Sequence, residues 1–167
     1  MTDIAVLPIP IQFELPNSAW QRVNPRDYDI PNAAFMAVRP DRSEAYTPVI
    51  TISGGFRRDT VTLDEIADES IDVLRSDVGN AALVKRREAG SENVPAVLQL
   101  LEADAKIDGQ RFDLQQAQVV EAIIDVNDKS KRIVLIFTMT GTYAQTERLA
   151  SEFEDFMDSV VILPGVE

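Results

Sequence analysis

The chain has 167 residues, the length of one ordinary domain, and folding at that size buries roughly 70% of the extended chain's surface in a single core. Its 16 Lys and Arg against 28 Asp and Glu leave a formal net charge of −12, which opposes nucleic-acid phosphates and anionic lipid headgroups. With no Cys and no His it excludes disulfides, thiol nucleophiles, Ser-His-Asp and Cys-His catalysis, Cys/His zinc sites and histidine pH switches.

The opening residues 1–10 carry one acid, no Lys or Arg before the apolar stretch, and two prolines that interrupt it. This predicts an irregular N-terminal arm rather than a secretory signal. No segment approaches the roughly 20 apolar residues needed to span a bilayer. The expectation is a cytoplasmic protein with no membrane insertion.

Ile11-Gln12-Phe13-Glu14-Leu15 alternates apolar and polar residues with period two and predicts a half-buried strand, ended by a turn at Pro16-Asn17-Ser18. Trp20 to Val23 is a short second strand, and the Pro- and Asp-rich stretch Asn24 to Asn32 reads as a loop. Ala34 to Val38 and Pro48 to Ser53 are further strands, with Pro48 suited to the start of an edge strand, where a missing N–H costs nothing. Gly54-Gly55 is expected to turn the backbone. Thr62-Leu63-Asp64-Glu65 fits a capping box. Beyond it Leu63, Ile66, Ala67, Ile71, Leu74 and Val78 give one apolar helical face, which Gly79-Asn80 terminates.

The second half reads as an antiparallel meander, with strands at about Ala82 to Arg87, Ala96 to Ile107, Arg111 to Val126 and Lys131 to Thr140. Asp108-Gly109 is a two-residue hairpin signal, because a type I′ turn needs positive φ at both central residues. Asn127 to Ser130 makes a longer hairpin loop. The last strand is apolar on both faces, Ile133, Leu135, Phe137 and Met139 on one and Val134 and Ile136 on the other, so it should be central and covered on both sides. A second helix follows a capping box at Thr142 to Gln145 and buries Leu149, Phe153, Phe156, Met157 and Val160. The predicted order is β-β-β-β-α-β-β-β-β-α: one α+β domain over residues 1–167, with a single twisted antiparallel sheet of six to seven strands flanked by helices.

Phe13-Glu14-Leu15-Pro16 followed by Trp20-Gln21-Arg22-Val23 resembles the opening of PsbP-like domains, where a strand, a Pro turn and a Trp begin the fold. The capped middle helix, the long hairpins, Gln115-Gln116-Ala117-Gln118 and a final helix ending near Ser159-Val160-Val161 extend the likeness from Ile11 to Val161. Within that family the chain is similar to the actinobacterial LpqN/LpqT-like proteins. The resemblance implies a PsbP-like fold and a family that mostly binds or assists other proteins. It carries no catalytic signature, so no active site and no cofactor transfer with it. LpqN-type proteins usually have a signal and a lipidated Cys, which this sequence does not show.

Several constellations are candidates for contact with other molecules. Arg57 and Arg58, after Gly54-Gly55 and before a helix N-terminus, could form an anion pocket, although the P-loop motif is missing. The simpler account pairs them with the acidic helix or with solvent. Asp125 to Ser130 lacks the Gly and Glu that a calcium loop requires, and reads as a hairpin. Glu102 and Asp104 share a strand face at a spacing that could support acid–base work, but a solvated face explains them as well. Gln116 and Gln118 share a face with Leu114, Val120, Ala122 and Ile124 and need partners if covered. Thr138 or Thr140, a ligand or water could provide them. Trp20 and Tyr28 flank the Asn24–Asn32 loop, Trp20 as a core anchor or interface residue and Tyr28 as an interface anchor.

Two functional expectations follow. The preferred one is a non-catalytic binding, adaptor or chaperone-like protein that presents an acidic surface to another protein, for instance a basic client, with self-association left open. The other is a small-molecule carrier, or a weak carboxylate-dependent hydrolase, with its ligand near Gln116, Gln118 and Thr138.

Overall fold

The computed structural model describes residues 9, 11–28, 30, 33–125, 128 and 130–162. The expected N-terminal arm, Ile9 apart, and Val126, Asn127 and Lys129 of the expected hairpin lie outside the described residues. The strands are β1 (Ile11–Gln12), β2 (Gln21–Val23), β3 (Phe35–Val38), β4 (Val49–Arg57), β5 (Ala82–Gly90), β6 (Pro95–Ile107), β7 (Gln110–Ile124), β8 (Arg132–Thr142) and β9 (Val161–Ile162). Helix α1 (Leu63–Val78) follows β4, and α2 (Tyr143–Ser159) follows β8. Seven strands form one antiparallel sheet in the order β2-β3-β4-β8-β7-β6-β5, and β1 pairs with β9 beside it. The fold is α+β, as the sequence predicts.

β8 occupies the middle of the sheet because neither of its faces tolerates water. Leu135, Phe137 and Met139 pack against Leu149, Phe153 and Phe156 of α2, together with Trp20, Phe35, Ile50 and Ile52. On the opposite face Val134 and Ile136 join Val97, Val120 and Ala122 under Ile66 and Ala67 of α1. Ile71 and Leu74 continue α1's apolar stripe onto Leu101 and Ala103 of β6. Each of the Val, Leu, Ile, Phe and Met side chains among them contributes roughly 1.5–3 kcal/mol when fully withdrawn from water. Helix α2 begins as the sequence indicates, whereas α1 forms only the Thr62 half of its expected box. Thr62 Oγ1 accepts from the Glu65 N–H at 3.1 Å. At α2 the box is reciprocal: Thr142 Oγ1 accepts from the Gln145 N–H at 3.3 Å, and Gln145 Oε1 accepts from the Thr142 N–H at 3.0 Å. Gly79 closes α1 at φ 88°, and Asp108 and Gly109 both adopt positive φ (51° and 81°) in the β6–β7 hairpin.

Four local expectations are corrected. Gly54-Gly55 does not turn. It continues β4 opposite Leu135 and Val134, because β8 offers an unbroken partner as far as Arg57. β4 is therefore an interior strand, and Pro48 stands just outside its start, so the missing N–H leaves the ladder intact. The first strand shrinks to two residues, while Phe13 and Leu15 still pack on the core. The Asn24–Asn32 loop contains a 3-10 turn at Pro25–Tyr28.

The N-terminal segment is fastened to α2 through Glu152. Trp20, only 4% exposed, donates from Nε1 to Glu152 Oε1 at 2.9 Å, Asn17 Nδ2 donates to the same oxygen at 2.8 Å, and Arg39 Nε approaches it at 3.3 Å. Burial pushes this carboxyl up, but the hydrogen bonds from Trp20 and Asn17 and the charge of Arg39 outweigh it and hold it below the ordinary glutamate value of 4.5. A group depressed on folding contributes stability that is complete above its unfolded pKa and is lost as pH falls through the folded one. Glu152→Gln should therefore cost about 1 kcal/mol at neutral pH, since a charged acceptor is replaced by a neutral one. The gap between variant and wild type should close as pH drops below 4.5, as read by urea denaturation followed through Trp20 fluorescence.

Candidate functional site: an apolar, basic-rimmed groove at one end of the sheet

The helices cover the sheet incompletely. α1 packs on β6 and β7 on one face, whereas α2 packs on β7 and β8 on the other. At the end of the sheet where β4 and β7 finish and β8 begins, a groove of about 540 Å³ opens between Phe56, Ile123, Ile124 and Ile133. Phe56 stands opposite Ile133 across the β4–β8 ladder, and Ile133 opposite Ile123 across β7–β8, so these three side chains form one row on the α2 face. Phe56 is 76% exposed. Arg57, Arg58, Lys131 and Arg132 border the row, and among the described residues Asp125 is the one acid in the lining.

Two of the four cations are already committed. Arg57 donates from Nε to Asp59 Oδ2 at 2.7 Å and forks onto Glu69 of α1 through Nη1 and Nη2 at 3.2 and 2.7 Å. Those hydrogen bonds raise its already high pKa, that to Glu69 most. Arg132 Nη2 donates to Asp59 Oδ1 at 2.7 Å and to the carbonyl of Val61 at 2.6 Å, pinning the connector between β4 and α1. Desolvation pushes Asp59 up, but the hydrogen bonds from Arg57 and Arg132 prevail and lower it. Arg58 is exposed and Lys131 half-buried, and neither forms an ion pair among the described residues. The groove thus has a wall, Arg57–Asp59–Arg132, and two cations, Arg58 and Lys131, that no carboxylate holds by a direct ion pair among the described residues, although the charge of Asp128 acts on both.

The other predicted contact residues are dispersed. Trp20 is buried in the core, and Tyr28 lies on the 3-10 turn at 49% exposure. Gln116, Gln118 and Thr138 are on the α1 face, where the partner of Gln118 is neither Thr138 nor Thr140. Register puts Gln99 of β6 directly opposite Gln118, and two long amides span a gap that a short hydroxyl does not. Gln99 Nε2 donates to Gln118 Oε1 at 2.7 Å and to the Ala67 carbonyl at 3.1 Å, and Gln118 Nε2 donates to Gln116 Oε1 at 3.3 Å. Arg86 of β5 donates from Nε and Nη2 to Gln99 Oε1, at 3.0 and 2.7 Å, and from Nη2 to Asp68 of α1 at 2.7 Å. No buried side-chain polar atom among the described residues lacks a partner. Sequence reasoning missed Gln99, Phe56, Ile123, Ile133 and Lys131. The expected hairpin brings Ile123 close to Ile133, but its loop at Asn127 to Ser130 would pair Ile123 with Val134, and the register of Phe56 against Ile133 is a non-local fact that periodicity does not contain.

The carboxylates singled out from sequence lie on strand surfaces. Glu102 accepts from Tyr143 Oη at 2.8 Å, and that bond pushes the phenol up to about 12. Asp104 stands directly across from Asp113, whose pKa is raised first by their shared hydrogen bond and then by the like charge. Among the described residues no group of three or more acidic side chains is arranged to hold a metal ion, and no helix is long and apolar enough to cross a membrane.

No protein-family model and no curated protein matches the chain. Solved structures do. LpqN of Mycobacterium tuberculosis, described as involved in cell envelope biogenesis, superposes with a TM-score of 0.62 at 14% identity, over 94% of this chain and 86% of that one. CyanoP, the PsbP of Synechocystis, gives 0.56 at 9% identity over 98% and 97%. The fold is PsbP-like. A Pseudomonas aeruginosa protein of unknown function also superposes, with a TM-score of 0.55 at 17% identity over 96% and 88%.

Gln99, only 4% exposed, is the hinge of the PsbP-like sheet's amide row. Gln99→Ala strands the Gln118 carbonyl oxygen and half of the Arg86 fork, and should cost about 1–3 kcal/mol in chemical denaturation, whereas Gln116→Ala, at the half-buried end of the row, should cost under about 1 kcal/mol.

Proposed function

We propose that this protein is a non-catalytic protein-binding domain that docks an acidic, apolar-bearing segment of a partner in the groove beside Phe56. One observation carries the reading: a phenylalanine 76% exposed, in a row with Ile123 and Ile133 and beside Arg58 and Lys131, which form no direct ion pair among the described residues, on a chain of net charge −12. A large aromatic held in water beside other apolar side chains is unfavourable unless something covers it, and aromatic anchors ringed by polar groups dominate protein interfaces. Arg58 and Lys131 make this end of the sheet locally favourable to a carboxylate-rich segment despite the net charge of the chain. The partner's carboxylates would meet Arg58 and Lys131 while its apolar side chains cover Phe56 and Ile133. This reverses the sign of partner that net charge alone suggests, because the local field at the groove is set by its rim. The groove does not include Gln116, Gln118 or Thr138, and the glutamine amides are satisfied by one another and by Gln99, so nothing specific favours a small-molecule site there.

The test is a selection from a random peptide library on the folded protein, repeated on Phe56→Ser and Arg58→Glu. Peptides enriched in Asp or Glu beside aliphatic or aromatic residues are expected, with binding lost in both variants, weakened by salt, and unaccompanied by any large change in Tm. Peptides that bind Phe56→Ser as well as wild type, or no enrichment at all, would overturn the reading.

A further inference from the structure

We infer that the outer edge of β5 is a second, independent docking surface, which takes an extended acidic segment of another protein by strand addition. The sheet has two edges. β2 is three residues long, whereas β5 has nine, all but Arg86 exposed, and among the described residues only β6 pairs with it. A long edge presents backbone N–H and C=O groups that another strand can use. Its side chains decide which strand.

Lys85, Arg86 and Arg87 are consecutive. Arg86 turns to the α1 face and is engaged by Gln99 and Asp68. Lys85 and Arg87 stand opposite Leu100 and Leu98, on the other face, and form no ion pair among the described residues. Two free cations two residues apart on one face are a complement for acids spaced i, i+2 on an added strand. On the α1 face the added strand would meet Asp64 and Asp68 of α1 and the exposed Leu83, so neutral or apolar residues belong there. The recognised pattern is therefore acid, apolar, acid.

The same chemistry argues against a second copy. Two β5 strands paired edge to edge would juxtapose Lys85 and Arg87 with their own counterparts, and the bulge between Leu83 and Lys85 bends the strand away from a flat self-pairing. Cations that oppose self-association favour an acidic strand by the same charge rule. Phe56 belongs to the opposite half of the sheet, with β8, β7 and β6 between β4 and β5, so the two surfaces can be separated experimentally.

The probe is a synthetic peptide of alternating Val and Glu, used in three forms: unmodified, and N-methylated on either the Val or the Glu residues. N-methylation leaves the side chains intact and removes alternate backbone donors, only one set of which faces a neighbouring strand. The expected result is binding by the unmodified peptide, a loss of at least about tenfold with one methylation frame and little with the other, and slowed amide exchange over residues 85–89. Lys85→Glu/Arg87→Glu should abolish binding, and Phe56→Ser should leave it unchanged, whatever the fate of the groove. Equal binding by both methylated peptides would reduce the contact to charge alone and overturn strand addition. So would failure of the unmodified peptide to bind, or sedimentation showing a dimer that Lys85→Glu/Arg87→Glu dissociates, which would make a second copy the occupant.

Discussion

Leu135, Phe137 and Met139 on one side of β8, and Val134 and Ile136 on the other, cannot all be withdrawn from water unless the strand lies inside the sheet with something packed on each face. Two helices of 16 and 17 residues do that packing, and a helix rises only about 1.5 Å per residue against about 3.3 Å for a strand. A helix of that length is about 25 Å long and shorter than β7, so coverage of the sheet is partial by arithmetic. α2 starts where β8 ends and runs back over Met139, Phe137 and Leu135. α1 covers the β6–β7 side of the other face. What remains bare is the end near Phe56 and the margin along β5, and both follow from the choice of β8 as the centre.

Polar contacts then decide how the covered parts are held. Three groups of them act across long stretches of sequence: Glu152 with Trp20, Asn17 and Arg39; Asp59 with Arg57 and Arg132; and Gln99 with Gln118, Arg86 and the Ala67 carbonyl. Each joins a helix or a connector to the sheet at a place where apolar packing alone would allow sliding. Polar contacts of this kind add little net stability over an apolar substitute, yet within the buried Gln99–Gln118 pair removing one member costs more than the bond itself, because the partner is left dry and unpaired. Apolar area supplies most of the folding free energy here, and these polar contacts fix the register in which that area is buried.

That division explains which features the sequence discloses. Helix limits, caps, the Asp108-Gly109 turn and the central position of β8 depend on periodicity and turn chemistry within a few residues, and all are legible. The extent of β4 is not, because Gly54-Gly55 has a local preference to bend that is overruled by a partner strand some 80 residues later. Phe56 looks unremarkable in sequence for the same reason: its row with Ile133 and Ile123 exists only once that register is set. Gln118 could be flagged as a covered amide needing a partner, but whether Gln99 or Thr138 supplies it depends on which neighbouring side chain is long enough to reach. Arg57 and Arg58 could be named, but not that one is consumed by Asp59 and Glu69 while the other forms no direct ion pair among the described residues.

Charge placement adds the last step. Much of the excess of acids sits on the outer faces of α1 and α2, where they are hydrated and where the first-turn Asp64 and Glu65 also favour the positive end of the α1 dipole. The sheet regions those helices do not cover carry cations instead: Arg58 and Lys131 at one end, Lys85 and Arg87 at the β5 margin. Bare backbone or apolar surface is where unwanted association starts, and a cation there repels the same cation on another copy. A surface guarded in this way is not inert, since the field that turns away a like-charged neighbour lowers the free energy of an acidic one. In an acidic chain, placing cations beside the apolar or unpaired backbone surface that two short helices leave bare makes those surfaces discriminating rather than sticky, and discrimination by charge beside an apolar anchor is the property a binding domain requires.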